Sequence, residues 1–407
     1  MHILFLSDNF PPEGNAPATR TYEHALRWVE AGHTVTVVTG APNFPEGKVF
    51  SGYKNCWYKK ENIDGINVVR VKTYITANEG FVKRILDYMS FMASGFVAGL
   101  FQRRPDVIVA TSPQFFTAVG GWLLSVFKRK PFVFELRDIW PASITAVGAM
   151  KESLAIRLLE KLELFLYRRA DAIVSVTHSF KQELVERGVD GKKIAVVLNG
   201  VDLEKYAPVT RKDPELAAKY GLKGKFVVGY VGTHGMAHAL ESVVDAAQKL
   251  KNMRDIVFLF AGGGAAREQV RAYAEKQNLG NVLFVERQPK EMMPRVWSLC
   301  DVSLANLKDS ELFRTVIPSK IFESMGMGLP IIMAVPEGEA TQIVEQTGSG
   351  LVVPPESPSR LADAVVKLAN DNELYKTIGK NSLVAANQFS RQKLSSDMLE
   401  KLIEIGG

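Results

Sequence analysis

PSKIFESMGMGLPIIMAVPEGEATQIVE, residues 318–345, is the stretch that decides how the chain is read. Its first part carries apolar residues at helical spacing and one acid, Glu323. A Gly-Met-Gly stop follows, then an apolar run at 331–334, then a loop into a second helical pattern. A short strand fed by one helix and feeding the next is the repeating piece of a parallel α/β sheet. Pro318 is expected at the first helical position, where its fixed φ fits and its missing N–H costs nothing. The N–H groups of Ser319, Lys320 and Ile321 would then stand unpaired at the positive end of the helix dipole, a natural seat for an anion. Glu323 lies about one turn further in, where a carboxylate beside a bound phosphate could take two hydroxyls of a ribose. The pattern points to a nucleotide.

Working outward, the same alternation fills the chain. Apolar runs at 3–6, 34–38, 68–71, 107–110, 132–136, 173–176 and 195–197 alternate with helical patterns such as 22–31 and 152–169. LNGVDLEKYAP, residues 198–208, breaks the rhythm with Gly and Pro. A second series then runs through 226–231, 257–260, 282–285, 302–305, 331–334 and 351–353. At 407 residues the chain exceeds one ordinary core. Two doubly wound parallel sheets are expected, with a helical tail from about 372.

Composition narrows the function classes. With 46% hydrophobic and 23% charged residues, the chain has a soluble globular composition. Cys56 and Cys300 fall in different halves, so a structural disulfide is not expected and a reducing cytoplasm is the plain reading. The N-terminus MHILFLSDNF begins as a strand and lacks the basic start of a signal peptide. Residues 1–200 hold 25 Lys and Arg against 19 Asp and Glu, while the remainder is neutral. A basic half suits an anionic membrane or a phosphorylated substrate. Its scattered charges lack the interleaved aromatics of a nucleic-acid reader, so nucleic acid is not an expected partner. No apolar stretch reaches the roughly 18–20 residues that span a bilayer. YMSFMASGFVAGLF, 88–101, comes nearest, with Lys83, Arg84, Arg103 and Arg104 at its ends. It fits either an interfacial helix on a membrane or a helix covering a sheet.

Four loops stand out. In NFPPEGNAPATR, 9–20, Gly14 offers bare backbone to a ligand and Pro17 marks the entry to a helix; a plain strand-to-helix turn wants the same residues. G-x-G-x-x-G is absent there. In FELRDIWPASI, 134–144, Arg137 and Asp138 emerge at the carboxyl end of a strand, where open α/β sheets bind ligands. Asp138 could orient a hydroxyl or take its proton; alternatively the pair caps the next helix. GYVGTHGMAHAL, 229–240, reads as strand, Gly-rich turn and helix, and holds Gly232, Thr233, Gly235 and His238. VERQPKEMMPRVWSLCD, 285–301, places Arg287 and Gln288 in a loop before a helix. No two aspartates are separated by one residue, and no His/Cys/carboxylate cluster has metal spacing, so neither metal nor cofactor is expected.

These motifs resemble the retaining family-4 glycosyltransferases. The family's signature is two glutamates with seven residues between, then a small-residue run and a Pro-Ile/Val strand. With Glu323 as the second glutamate, Thr315 stands where the first would be. The first glutamate usually touches the donor sugar, so this departure bears on which sugar is bound. PSKIFE together with GTHGMAHAL is similar to a subgroup that transfers amino-deoxy sugars such as N-acetyl-L-fucosamine in surface polysaccharide (O-antigen or capsule) assembly.

The resemblance implies a GT-B fold of two facing Rossmann-like domains. Residues 1–203 would form the acceptor domain, joined by a crossover helix at about 390–407, and 204–389 the donor domain, with a cleft between them that opens and closes. It also implies a UDP-sugar donor and a saccharide or polyprenyl-diphosphate-linked acceptor at the inner face of the plasma membrane. Gly14 would lie beside the donor diphosphate. The family's arginine and lysine that grip the diphosphate become Thr233 and His238 here, leaving His238, the helix start after Gly235, and Lys320 as its partners. Arg137 replaces a sugar-contacting histidine. Backbone groups around Arg287 and Gln288 would read the base. A UDP-sugar 2-epimerase of the same fold, or a sugar-nucleotide-binding scaffold without catalysis, remain the other readings.

Overall fold

The computed structural model describes residues 1–44, 46–76, 81–139 and 154–407. Contacts divide the chain into two units, Met1–Leu198 with Gln392–Gly407, and Asn199–Arg391.

The first unit is built on an eight-stranded sheet of β1 (His2–Leu6), β2 (Thr34–Gly40), β3 (Tyr58–Ile63), β4 (Ile66–Val71), β5 (Val107–Thr111), β6 (Phe132–Leu136), β7 (Ala172–Ser175) and β8 (Ile194–Val196). Its order is β3-β4-β2-β1-β5-β6-β7-β8. All pairs are parallel except β3–β4. The expected parallel sheet therefore gains an antiparallel edge. Sequence patterning misses β3 because YKKENI is polar and largely exposed, as an edge strand against solvent should be.

The central strands β1 and β5 are fully buried, which is why they read as unbroken apolar runs. The helix Phe81–Leu100 covers the sheet, burying Phe91 and Ala98. It lies so close to the helix Phe115–Lys128 that a carbon added at Gly99 would meet Leu124 Cδ1 at 2.5 Å. Its Leu86, Met89 and Val97 stay exposed, so the helix carries apolar residues on two sides. On the opposite face, the helix Arg391–Gly406 seats Leu394, Met398 and Leu402 among Ile3, Trp28 and Val107. Trp28 Nε1 donates to Ser395 O at 3.0 Å.

The second unit holds a six-stranded parallel sheet of β9 (Phe226–Val231), β10 (Ile256–Ala261), β11 (Val282–Val285), β12 (Val302–Asn306), β13 (Ile331–Ala334) and β14 (Gly350–Val353), ordered β11-β10-β9-β12-β13-β14. Strand order reverses between β9 and β12, as it does between β1 and β5 in the first unit. Ligands of open α/β sheets bind outside the carboxyl ends of strands at such reversals. Segment 134–144 runs out of the described residues after 139, and so does the start of the helical pattern expected at 152–169.

Candidate functional site

In the second unit the reversal falls on the loop 232–238 that follows β9. Three glycines let this loop lie against the one that follows β10. Gly262, at φ +141°, sits where a side-chain carbon would come 1.9 Å from Gly232 O. At Gly264, φ +149°, that carbon would lie 2.5 Å from His234 O. Gly232 itself has φ +135°, and a carbon added there would stand 3.5 Å from Lys320 Nζ. Backbone hydrogen bonds from His234 N to Gly263 O at 2.9 Å and from Ala266 N to His234 O at 2.9 Å lock the two loops. From β12, Asn306 Nδ2 donates to His238 O at 2.6 Å and to Ala239 O at 3.1 Å, fixing the far end.

Lys320 reaches into this glycine floor. Its Nζ is buried, has no hydrogen-bond partner among the described residues, and lies 3.4 Å from the centre of the Tyr230 ring. Burial draws its pKa down to about 7, with nearby Glu323 pulling the other way. The Tyr230 hydroxyl donates to Thr233 O at 2.7 Å, so the ring that faces the ammonium also holds the loop. A buried cation with no hydrogen-bond acceptor, beside glycine backbone, is poised for an anion.

Burial disfavours the charged form of both histidines of the loop. His238 Nδ1 lies 3.2 Å from both Gly235 N and Gly235 O. Burial, with Lys320 adding, lowers its pKa to about 4. Near neutral pH it is therefore a neutral imidazole in the ligand-free protein, and a bound diphosphate would draw its pKa back up. It also lies in a short 3₁₀ turn, Met236–His238, followed by Ala239 at φ +43°, and the helix starts only at Leu240. His234, which the sequence pattern does not single out, is 0% exposed and packed among Tyr230, Phe260 and Phe284. Both its ring nitrogens lack hydrogen-bond partners among the described residues, and burial, then Arg267 and Lys320, lower its pKa to about 4.

The helix opening at 318 also differs from expectation. It runs Lys320–Gly326 with Ser319 as its cap, so Pro318 precedes the helix instead of occupying its first turn. Ile321 N is already used, donating to Pro318 O at 3.2 Å, which leaves Ser319 and Lys320 as the candidates for backbone contact to an anion. Ser324 pins the helix through its hydroxyl, 2.6 Å from Ser303 Oγ on β12. One turn after Lys320, Glu323 Oε2 accepts from the buried Trp297 Nε1 at 3.0 Å, and burial raises the Glu323 pKa. Trp297 is a partner that sequence reasoning missed; it lies on the helix after the loop holding Arg287 and Gln288.

Arg287 is exposed, its Cβ 3.8 Å from where a carbon on Gly263 would stand, so this loop borders the glycine floor. Gln288 Nε2 donates to Glu286 O at 3.0 Å. The buried arginine nearby is Arg267, bound to Gly262 O at 2.6 Å and Glu286 Oε1 at 2.6 Å. Thr315 closes the 3₁₀ turn Glu311–Thr315, its hydroxyl 3.4 Å from Leu312 O.

Three expected residues lie in the first unit. Gly14 is exposed in open space after β1, and Asn15 caps the helix Ala16–Glu30 by accepting from Ala18 N at 3.0 Å. The loop is shaped by Glu13, whose carboxylate accepts from Phe10 N, Asn43 N and Phe44 N at 3.2, 2.8 and 2.8 Å. Arg137 N and Asp138 N donate to Ser112 Oγ at 2.7 and 3.2 Å, which binds the end of β6 to the end of β5. Asp8, at the end of β1, accepts from Gln114 Nε2. Burial, with Asp87 and Glu13 adding, holds its pKa well above the usual carboxylate range.

Residues 17–205 match the model for Glycosyltransferase Family 4, and residues 212–383 the model for Glycosyl transferases group 1. The chain is 26% identical over 375 residues to the putative colanic acid biosynthesis glycosyl transferase WcaI of Escherichia coli (strain K12), covering 90% of this chain and 91% of that protein. The fold is similar to sucrose-phosphate synthase from Thermosynechococcus elongatus, with TM-score 0.79, 18% identity, and 99% and 98% of the two chains covered. It is also similar to Anabaena Alr3699/HepE in complex with UDP and glucose, with TM-score 0.71, 18% identity, and 98% and 99% covered. The architecture is the GT-B fold, two Rossmann-like parallel-sheet domains.

Proposed function

The chain belongs to glycosyltransferase family 4, and we propose that it transfers a sugar from a UDP-sugar to a saccharide or polyprenyl-diphosphate-linked saccharide with retention of configuration, in bacterial surface polysaccharide assembly. The observation that carries this reading is Lys320: a buried amine without a hydrogen-bond acceptor among the described residues, facing the Gly232 backbone at the strand-order reversal. A donor diphosphate supplies the missing charge.

In this reading Lys320 and Ser319 hold the phosphates, and Pro318 sets the bend that presents them. Gly232, Thr233 and Gly235 let the diphosphate approach the backbone. His238 contributes a hydrogen bond, and the diphosphate opposes the burial that lowers its pKa. Glu323 takes ribose hydroxyls with the oxygen that Trp297 leaves open, and the backbone around Arg287 and Gln288 reads the base. Thr315, offering a hydroxyl where a carboxylate is common, faces the sugar. Together with the PSKIFE and GTHGMAHAL stretches, it supports an amino-deoxy hexose such as N-acetyl-L-fucosamine.

Residues 1–203 with the helix at about 390–407 serve the acceptor, and 204–389 the donor. Gly14 borders the diphosphate, Arg137 the sugar, and Asp138 orients the acceptor hydroxyl. Transfer needs no enzyme nucleophile. The acceptor oxygen bonds to the anomeric carbon as the bond from that carbon to the phosphate oxygen breaks. The departing phosphate oxygen takes the acceptor proton on the same face. Fixed charge at Lys320 and the loop amides stabilise the leaving diphosphate without a metal.

The test is a panel of UDP-, GDP- and dTDP-sugars assayed for thermal stabilisation, since binding to the native state raises the melting temperature. Stabilisation by UDP-linked amino-deoxy hexoses, lost in Lys320→Met, is the expected result. A Lys320→Met protein stabilised as strongly as the parent would overturn the assignment. NMR of the product's anomeric proton then reports retention or inversion.

A further inference from the structure

Nothing in the transfer reaction uses the outer side of the helix Phe81–Leu100. Between that helix and the β3–β4 edge lies a groove of about 970 Å³ lined by Trp57, Tyr58, Lys72, Tyr74, Val97 and Phe101 among others. Trp57 is 75% exposed and Phe101 78%. Isolated apolar side chains on a surface mean little, but a contiguous, concave set of aromatic and aliphatic groups marks a place where something binds.

The composition of the rim selects the occupant. Lys72 Nζ stands 4.9 Å over the Trp57 ring and Lys60 Nζ 5.7 Å over the Tyr58 ring, so each pairs an apolar body with a cationic tip. Lys59, Arg103 and Arg104 are exposed on the same segments. Among the described residues, Glu61 binds Arg70 and also pairs with Lys59 at 3.6 Å, and Asp106 binds His2 N. Aromatic rings at the waterline with basic side chains reaching past them form the pattern of an interfacial surface, in which rings enter the acyl boundary and cations meet anionic headgroups.

We infer that this face docks on an anionic phospholipid bilayer, with the groove taking one hydrocarbon chain. Trp57 and Phe101 enter the membrane, and Lys60, Lys72, Arg103 and Arg104 meet the headgroups. This deepens the proposed use of a lipid-linked acceptor by giving the enzyme a membrane face. It does not depend on which sugar is moved.

The experiment is co-sedimentation of the full chain with sucrose-loaded vesicles, of phosphatidylcholine alone and of an equal mixture with phosphatidylglycerol. The parent protein is expected to favour the anionic vesicles by at least about tenfold, with the preference shrinking as salt rises. Trp57→Ser with Phe101→Ser is expected to lower binding by about tenfold or more. A second variant, with Lys72, Arg103 and Arg104 each changed to Gln, is expected to lose the anionic preference while keeping the groove. Far-UV circular dichroism and a cooperative thermal melt close to the parent's check that the first unit, which carries every substitution, is folded in each variant.

No anionic preference in the parent, or undiminished binding by both variants, would overturn the inference and leave the transfer reading standing. So would light scattering that shows a dimer abolished by the Trp57 and Phe101 changes, since a second copy would then be the occupant. Conversely, vesicle binding without any response to activated sugars keeps the membrane face and sinks the donor assignment.

Discussion

Lys320 Nζ lies 3.4 Å from the centre of the Tyr230 ring and meets no hydrogen-bond acceptor among the described residues. The empty protein thus keeps a poorly solvated amine inside itself, whose charged form burial disfavours. Lys320→Met removes the charge while keeping most of the side chain's volume. Removing a buried charge that lacks its partner should stabilise the ligand-free protein by about 1–3 kcal/mol. Differential scanning calorimetry should therefore show a higher melting temperature for the variant alone and no further rise on adding a UDP-sugar.

The same lysine makes donor affinity depend on pH. Its pKa falls from 10.5 to about 7 on folding, so the unfolded chain holds the proton more tightly. This group's penalty is therefore present below pH 7 and fades as pH rises toward 10.5. A bound diphosphate reverses the shift by favouring the charged form. Donor binding above pH 7 must then take up a proton, and the dissociation constant should rise by up to about tenfold per pH unit. Calorimetric titrations in buffers of different ionisation enthalpy measure that uptake directly. A pH-independent affinity from 7 to 9 would exclude Lys320 from the phosphate site.

Glu323 has two partners in the proposed complex, the indole and the ribose, and two substitutions separate them. Glu323→Gln keeps an oxygen for Trp297 Nε1 but loses the charge. Glu323→Ala also strands a buried indole N–H, at a cost of about 1–3 kcal/mol. The Gln variant should melt near the parent temperature yet bind UDP about ten- to a hundredfold more weakly, because hydrogen bonds to a charged group contribute about 1.5–3 kcal/mol. The Ala variant should lose both stability and binding. Parental UDP affinity in Glu323→Gln would remove the ribose role.

Gly262→Ala tests the loop stacking. Its new carbon would need to occupy space 1.9 Å from Gly232 O, at a φ that L-residues rarely adopt. The loops must separate, which should cost about 1–3 kcal/mol and abolish nucleotide-induced stabilisation. Far-UV circular dichroism close to the parent's, together with a lost thermal shift, would localise the damage to the loops.

In the first unit Asp87 provides a separate pH test. Burial, with Glu13 adding, raises its pKa from 3.8 to about 7. The folded state therefore binds the proton more tightly, and this group's contribution to stability falls as pH rises from 3.8 to 7. Asp87→Asn should flatten that decline in urea melts between pH 5 and 7. A slope equal to the parent's would assign the pH dependence to other groups.

The sequence made the sheets legible because buried parallel strands such as β1, β5 and β13 are continuous apolar runs between helical patterns. It hid β3, whose YKKENI pattern belongs to a strand with one face and one edge in water. Around the site, the Gly-rich turns and Lys320 could be read from local spacing. His234, Tyr230, Trp297 and Glu13 could not, because their meaning comes from rings and amides contributed by distant segments. The state of His238 was hidden for the same reason: a histidine's charge is set by burial and by a neighbouring ammonium, and neither is written in the order of residues around it.

The helix Arg391–Gly406 belongs with the first unit, whose other residues end at Leu198. During synthesis, that first body leaves the ribosome lacking the segment that covers Trp28. It must wait, with Ile3, Trp28 and Val107 only partly sheltered, while the whole of the second unit is made. A chain truncated near residue 390 would leave that surface open for good. Aggregation of such a fragment, relieved by supplying the missing helix as a peptide, is what this interrupted layout leads one to expect.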